Sequence, residues 1–216
     1  MKRKTIDIII SIIWIILIVF TLFVCFVDVK HYEITNTSIG LYSLNKLFLF
    51  NIKNNNDYYK TIEIVSNCIF LFCLSITILI LFIMLFDYFK RRKIKKTHIN
   101  FVIHFIVMIL IWIIFDKILI INYRPILING NIEGSYPSTH VMVSTFILLL
   151  SSYKVKDIFK NTKILYIISS VLIFIQCISR LLLMMHWFTD ILGGLLIGIL
   201  LFITYYRGEY GFSNSI

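Results

Sequence analysis

From Ile164 to Tyr206 the chain is almost continuously apolar for 43 residues. A single helix of that length would reach about 64 Å at ~1.5 Å per residue, twice the ~30 Å hydrocarbon core of a bilayer. The segment must therefore fold back once, and the polar interruption near its middle lies around His186. That predicts an antiparallel pair of membrane helices, Ile164–Leu183 and Trp187–Tyr205. Three further apolar runs, Ile6–Val27, Ile62–Phe86 and Phe101–Ile121, are each long enough to cross, and a shorter one covers Ser138–Ser152. With 59% hydrophobic residues and only two prolines, the composition excludes an ordinary soluble domain. The expected architecture is all-α: one membrane-embedded domain, residues 1–216, built as a bundle of six transmembrane helices.

The formal net charge is +10. In a soluble chain this would raise nucleic acid as a partner; here the basic residues sit between apolar runs, so topology accounts for them and no nucleic-acid role is read. Lys and Arg number three before the first run, six over Lys90–Lys96, four over Lys154–Lys163, and Arg207 follows the last. The opposite side holds Lys30, Lys46, Lys53, Lys60, Lys117, Arg124 and Arg180. The positive-inside rule then predicts cytoplasmic N- and C-termini. Met1-Lys2-Arg3-Lys4 resembles the start of a signal peptide, but the apolar run after it is too long and no small-residue cleavage site follows, so a retained first helix is expected. Alanine is absent while Ile, Asn and Lys abound, the codon signature of an AT-rich, low-GC bacterium, and a multi-pass protein of the bacterial plasma membrane is expected.

The outer segment Val29–Lys60 is the longest loop. Leu44, Leu47, Phe48 and Ile52 recur at helical spacing, which fits either a short interfacial helix or an irregular loop touching the membrane. Asn36-Thr37-Ser38 is a glycosylation sequon. Cys25, Cys68, Cys73 and Cys177 all lie in apolar runs without metal-ligand spacing, and read as small hydrophobes. Gly194-x3-Gly198 in the last run suits close helix packing within the bundle; it implies no oligomeric state.

Three polar clusters interrupt this chain: Lys117 to Arg124-Pro125, then Pro137-Ser138-Thr139-His140, then Ser179-Arg180 through His186 to Asp190. A charge within a membrane helix costs roughly 2.5–3.5 kcal/mol on insertion scales, so each needs a reason. Lys117 and Arg124 are seven residues apart and would share a face if the helix continued; alternatively, Lys117 pairs with Asp116 and Arg124 snorkels to the interface. Ser138 is an N-cap candidate whose free backbone N–H groups suit an anion. His186 and Asp190 are spaced so that the carboxylate reaches an imidazole nitrogen, for catalysis or as a structural pair. With the spans as drawn, all three clusters fall at the outer face.

Lys-x6-Arg-Pro, Pro-Ser-x-His and Ser-Arg-x5-His-x3-Asp, in that order, resemble the type 2 phosphatidic acid phosphatase family, whose relatives include bacterial lipid-phosphate phosphatases and, more distantly, vanadium haloperoxidases. The motif core spans Lys117–Asp190. Thr139 stands where the family usually has glycine. The eleven residues between Pro125 and Pro137 are few for the family and leave little loop for a lid.

The resemblance implies that His186 attacks phosphorus to form a phosphohistidine, held in position by Asp190, while His140 protonates the leaving oxygen and later activates water. Lys117, Arg124, Arg180, Ser138 and Thr139 would bind the phosphoryl oxygens. No carboxylate cluster for Mg²⁺ or Zn²⁺ is evident, so no metal or other cofactor is expected. The expected activity is hydrolysis of a membrane lipid phosphate or diphosphate, with undecaprenyl diphosphate, phosphatidylglycerol phosphate and phosphatidic acid as candidates. A lipid phosphotransferase using the same site, or a non-catalytic transporter or binding protein on the same fold, are the alternatives.

Overall fold

The structure, a computed structural model, describes residues 3–49, 56–155 and 162–213. Ile52, Lys53, Lys156 and Lys160, used above, lie outside the described residues. Among the described residues the regular elements are helices and one short two-stranded sheet: α1 (Arg3–Phe26), β1 (Lys30–Tyr32), β2 (Thr37–Ile39), α2 (Tyr42–Leu47), α3 (Asn56–Arg91), α4 (Lys96–Ile113), α5 (Thr139–Lys154), α6 (Thr162–Leu182) and α7 (Phe188–Ser213). Helices are the physical solution for these runs because each satisfies its own backbone hydrogen bonds without water.

Among the described residues, five helices are long and apolar enough to cross a membrane: α1, α3, α4 with the turn that follows it, α6 and α7. The fourth run, expected to span, forms the 16-residue α5, shorter than the roughly 20 residues a crossing needs. It carries only small polar groups, Ser144 and Thr145, among the apolar residues of its middle, and Val141 through Leu148 are all buried. α3, α6 and α7 enclose it, and α1 and α4 pack on the far side of α7. Outward faces of α1, α3 and α4 carry exposed Ile8, Trp14, Phe23, Phe82 and Ile106, a surface suited to lipid.

The expected close packing at the α7 glycines is present and lies within the bundle. A Cβ on Gly194 would come 2.6 Å from the Ser138 carbonyl oxygen, and one on Gly198 would come 2.7 Å from Thr145 Cβ. Both contacts set α7 against α5, the two elements that carry the sequence's histidine motifs.

The 29–49 region is more ordered than its sequence pattern indicated. β1 and β2 pair antiparallel, with Lys30 opposite Ile39, and Asn36 takes the left-handed conformation in the turn. Only glycine fits at position 40, because a Cβ there would lie 1.6 Å from the Val24 carbonyl oxygen. Asp28 Oδ2 accepts the Ser43 N–H at 2.6 Å, capping α2. That bond, reinforced by Lys30, holds the Asp28 carboxyl below its ordinary range. α2 is the short helix anticipated near Leu44, ending at Leu47.

α4 does not continue to Arg124. It widens into a π turn over Ile114–Ile118, where the Leu119 N–H bonds the Ile114 carbonyl, and then ends. Lys117 and Arg124 therefore do not share a helical face.

Candidate active site

His186 lies in the five-residue connection between α6 and α7. Its position follows from how α6 stops. Met184 is left-handed, with φ +54°; its N–H bonds the Leu181 carbonyl, and the Met185 N–H reaches back to the Arg180 carbonyl. This is a Schellman termination, with methionine where glycine is usual. The reversal turns the next residue, His186, inward, where it is 4% exposed.

The His186 imidazole is fixed by the backbone. Nδ1 lies 2.9 Å from the Ser135 carbonyl oxygen. A carbonyl only accepts, so the proton sits on Nδ1 and the Nε2 lone pair is free. The sequence reading gave this orienting role to Asp190. Its Oδ2 is 3.9 Å from Nδ1, an electrostatic neighbour beyond hydrogen-bond length. Asp190 is engaged elsewhere: Oδ2 accepts the Trp187 N–H at 2.9 Å, and Oδ1 accepts from Asn122 Nδ2 at 3.0 Å. An acid at the third helical position bonding the N-cap backbone is half of a capping box, so Asp190 starts α7 and thereby places the His186 segment. Burial, with the Arg180 and Arg124 guanidiniums and His140 adding to it, holds His186 well below its ordinary pKa of 6.5. The imidazole is neutral.

Ser138 occupies the predicted N-cap of α5, but its side chain makes no capping bond. Its hydroxyl is buried without a hydrogen-bond partner among the described residues. Its N–H, expected to be free for an anion, is taken by the Asp190 carbonyl at 3.0 Å, a bond that fastens the start of α5 to the start of α7. Thr139 and His140 follow in the first turn. The His140 ring lies against Phe70 of α3, with centroids 4.2 Å apart.

Between α4 and α5 the chain doubles back as a narrow hairpin. Arg124 N–H bonds the Glu133 carbonyl and Ser135 N–H bonds the Asn122 carbonyl. At its tip Asn129 and Gly130 both have positive φ, the requirement of a type I′ turn. The hairpin delivers Arg124 and Ser135 to the site on opposite arms. Arg124 ion-pairs with Glu133 at 3.2 Å and points Nη1 at Met185 Sδ.

The three expected phosphate cations thus differ in state. Arg124 is mostly buried and faces the site. Arg180 is 4% exposed, and its Nε has no partner among the described residues; a buried guanidinium so placed is costly until an anion arrives. Lys117 is 71% exposed at its side chain and pairs with Asp116 at 2.8 Å, the topology-driven alternative weighed above.

A cavity of about 270 Å³ gathers these features. His186, His140, Thr139 and Arg124 line it, with Phe70, Trp112, Asp116, Ser135 and Tyr136 among its other walls. Lys117, Ser138, Arg180 and Asp190 are not among the lining residues. The sequence reading did not single out Ser135, Asn122 or Asn45. Asn45 of α2 takes the Thr189 N–H on Oδ1 and donates to Thr189 Oγ1, both at 3.0 Å. Trp187 Nε1 donates to the Tyr123 carbonyl, and the Trp187 ring packs edge-on against Tyr32 of the β1–β2 hairpin. The Asn129-Gly130 dipeptide, a strong hairpin signal flanked by apolar residues, could have revealed the loop that carries Ser135 back to His186.

Residues 117–212 match the PAP2 superfamily, so the resemblance drawn from the three motifs holds for that segment. No curated protein matches the chain at a significant level. Among solved structures, the fold is similar to that of the transmembrane PAP2 type phosphatidylglycerolphosphate phosphatase from Bacillus subtilis, with 20% sequence identity, 96% of each chain covered and a TM-score of 0.63. At that identity the likeness establishes the fold alone, an all-helical bundle of the kind seen in that transmembrane protein.

Proposed function

With residues 117–212 as a PAP2 superfamily segment for premise, we propose that the protein is an integral membrane phosphatase that hydrolyses a lipid phosphate monoester or diphosphate through a phosphohistidine on His186. The observation that carries the mechanism is the Ser135 carbonyl holding the His186 Nδ1 proton. It leaves a neutral Nε2 facing a cavity that His140 and Arg124 also line.

In the first step the Nε2 lone pair forms a bond to phosphorus as the bond to the leaving oxygen breaks, and His140 supplies that oxygen with a proton. In the second, His140 takes a proton from water, whose oxygen attacks phosphorus and breaks the P–N bond, releasing inorganic phosphate. Arg124 and Arg180 balance the charge on the phosphoryl oxygens, and Lys117 joins them when it leaves Asp116. These cations support a metal-independent reaction.

The apolar outer faces support a lipid substrate within the bilayer. Undecaprenyl diphosphate, phosphatidylglycerol phosphate and phosphatidic acid remain the candidates; the activity of the structurally similar Bacillus subtilis protein favours testing the second first. The loop charge count supports six crossings, cytoplasmic termini and a site at the outer face of a bacterial plasma membrane. The test is phosphate release from these lipids in detergent with EDTA present. Hydrolysis abolished by His186→Ala and by His140→Ala is expected; full activity in either variant overturns the mechanism.

A further inference from the structure

A second cavity, of about 360 Å³, lies between α1, α4 and α7. Its walls are apolar side chains such as Ile18, Val107 and Leu200. It neighbours the catalytic cavity, with Tyr136 lining both. There Tyr136 is held by a 2.7 Å hydrogen bond between its hydroxyl and Thr21 of α1 and by edge-to-face packing on Phe115. The inner end is closed by His104 and Thr204, which lie 3.1 Å apart. The other His104 nitrogen is occupied by the Asn100 carbonyl, so this floor has no group to spare for a polar ligand.

The cleft's length identifies its occupant. Along α4 it runs from Phe115 to His104, about 16 Å at ~1.5 Å per residue. That is close to half of the ~30 Å hydrocarbon core, the depth of one leaflet. We propose that this cleft seats one hydrocarbon chain of the same lipid whose phosphate lies at His186, with Tyr136 as the wall between tail and phosphate. The proposal rests on the lipid-phosphatase reading and adds how the substrate class is recognised. An amphiphile with one chain close to its phosphate fills both cavities together. Other lipid-facing grooves would take bulk lipid without favouring the reaction; this one shares a wall residue, Tyr136, with the catalytic cavity.

The experiment compares dodecyl phosphate with phenyl phosphate on the full chain in detergent, reading the ratio of the two kcat/KM values. Val107→Trp and Ile18→Trp fill the cleft from two different helices, and both sites are partly open to lipid, so neither overpacks the core. Each is expected to lower the dodecyl-to-phenyl ratio about tenfold, through KM for the long chain. Ile15→Trp, on the exposed face of α1 outside the cleft, is expected to leave the ratio unchanged. A ratio unaltered by both Val107→Trp and Ile18→Trp, with hydrolysis intact, overturns the tail site and leaves the phosphatase reading standing. Failure of the wild-type protein to hydrolyse either ester overturns the phosphatase reading itself.

Discussion

Arg180 and Asn122 show how single residues set this site's properties in opposite ways. Arg180 is a buried cation whose Nε has no partner among the described residues, so the resting protein carries a desolvation cost that nearby Glu63 offsets in part and a bound anion offsets further. Arg180→Met is expected to lose at least about a hundredfold in phosphate release and yet to melt at a higher temperature in phosphate-free buffer. Adding phosphate should raise the melting temperature of the wild type and not of the variant; an equal rise in both contradicts the assignment. Asn122, fully buried, orients Asp190. Asn122→Leu leaves the Asp190 Oδ1 lone pairs without that donor, a loss of about 1–3 kcal/mol, read by thermal melting together with a fall in kcat. Loss of the nucleophile at low pH belongs to His186, separately from the proton-transfer role of His140. Its pKa in the folded protein is depressed by burial, Arg180 and Arg124, so the neutral nucleophile persists as pH falls through 6.5. Single-turnover phosphoryl transfer should therefore hold its rate as pH drops across that value. Arg124→Gln removes one depressing charge, so the acid limb should move upward toward 6.5, whatever the loss in absolute rate.

At the scale of elements, the start of α5 and the start of α7 behave as one piece. The Ser138 N–H to Asp190 carbonyl bond joins them, and Gly194 and Gly198 allow the close approach. Gly194→Ala would drive a methyl against the Ser138 carbonyl; a destabilisation of about 1–3 kcal/mol is expected, with loss of activity because both histidine segments shift. Unchanged melting and kinetics would show that the two helices are not held as described. The sequence made part of this legible. His140 and His186 stood out because polar residues are rare and costly in so apolar a chain, and the fold-back at His186 followed from length alone. Ser135, Asn122 and Asn45 did not stand out. Asn and Ser are ordinary loop residues, and their value arises only when the 119–138 hairpin and α2 meet α7 across long stretches of chain. Of the two readings of Lys117, the shared face with Arg124 needed a continuous helix through a segment that ends in a π turn, and the pair with Asp116 is the one the structure has. The Asp190 role misled because an i, i+4 spacing brings groups near but does not say which acceptor is nearer.

For the whole molecule, the charge count and the buried α5 bear on topology. The proposed six crossings with cytoplasmic termini would place Lys30 and Lys46 outside and the Lys90–Lys96 stretch inside. In a variant lacking the four native cysteines, Lys30→Cys should react with a membrane-impermeant thiol reagent in intact cells, and Lys93→Cys only after permeabilisation. The reverse pattern would invert the orientation. α5 needs no full apolar span of its own, because it is sheathed by protein on most of its surface, and the bundle around it supplies the length.

The Ser138–Asp190 bond has one more implication. His140 and His186 belong to segments clamped together at that point, so their spacing is a fixed gauge. A lipid phosphate that does not match the gauge cannot be accommodated by moving either imidazole. On the proposed function, selectivity among phosphate esters would then reside in the walls outside that clamp, such as Phe70 of α3 and the end of α4 at Trp112 and Asp116. Substitutions there should change which lipids are accepted before they change how fast the accepted ones react.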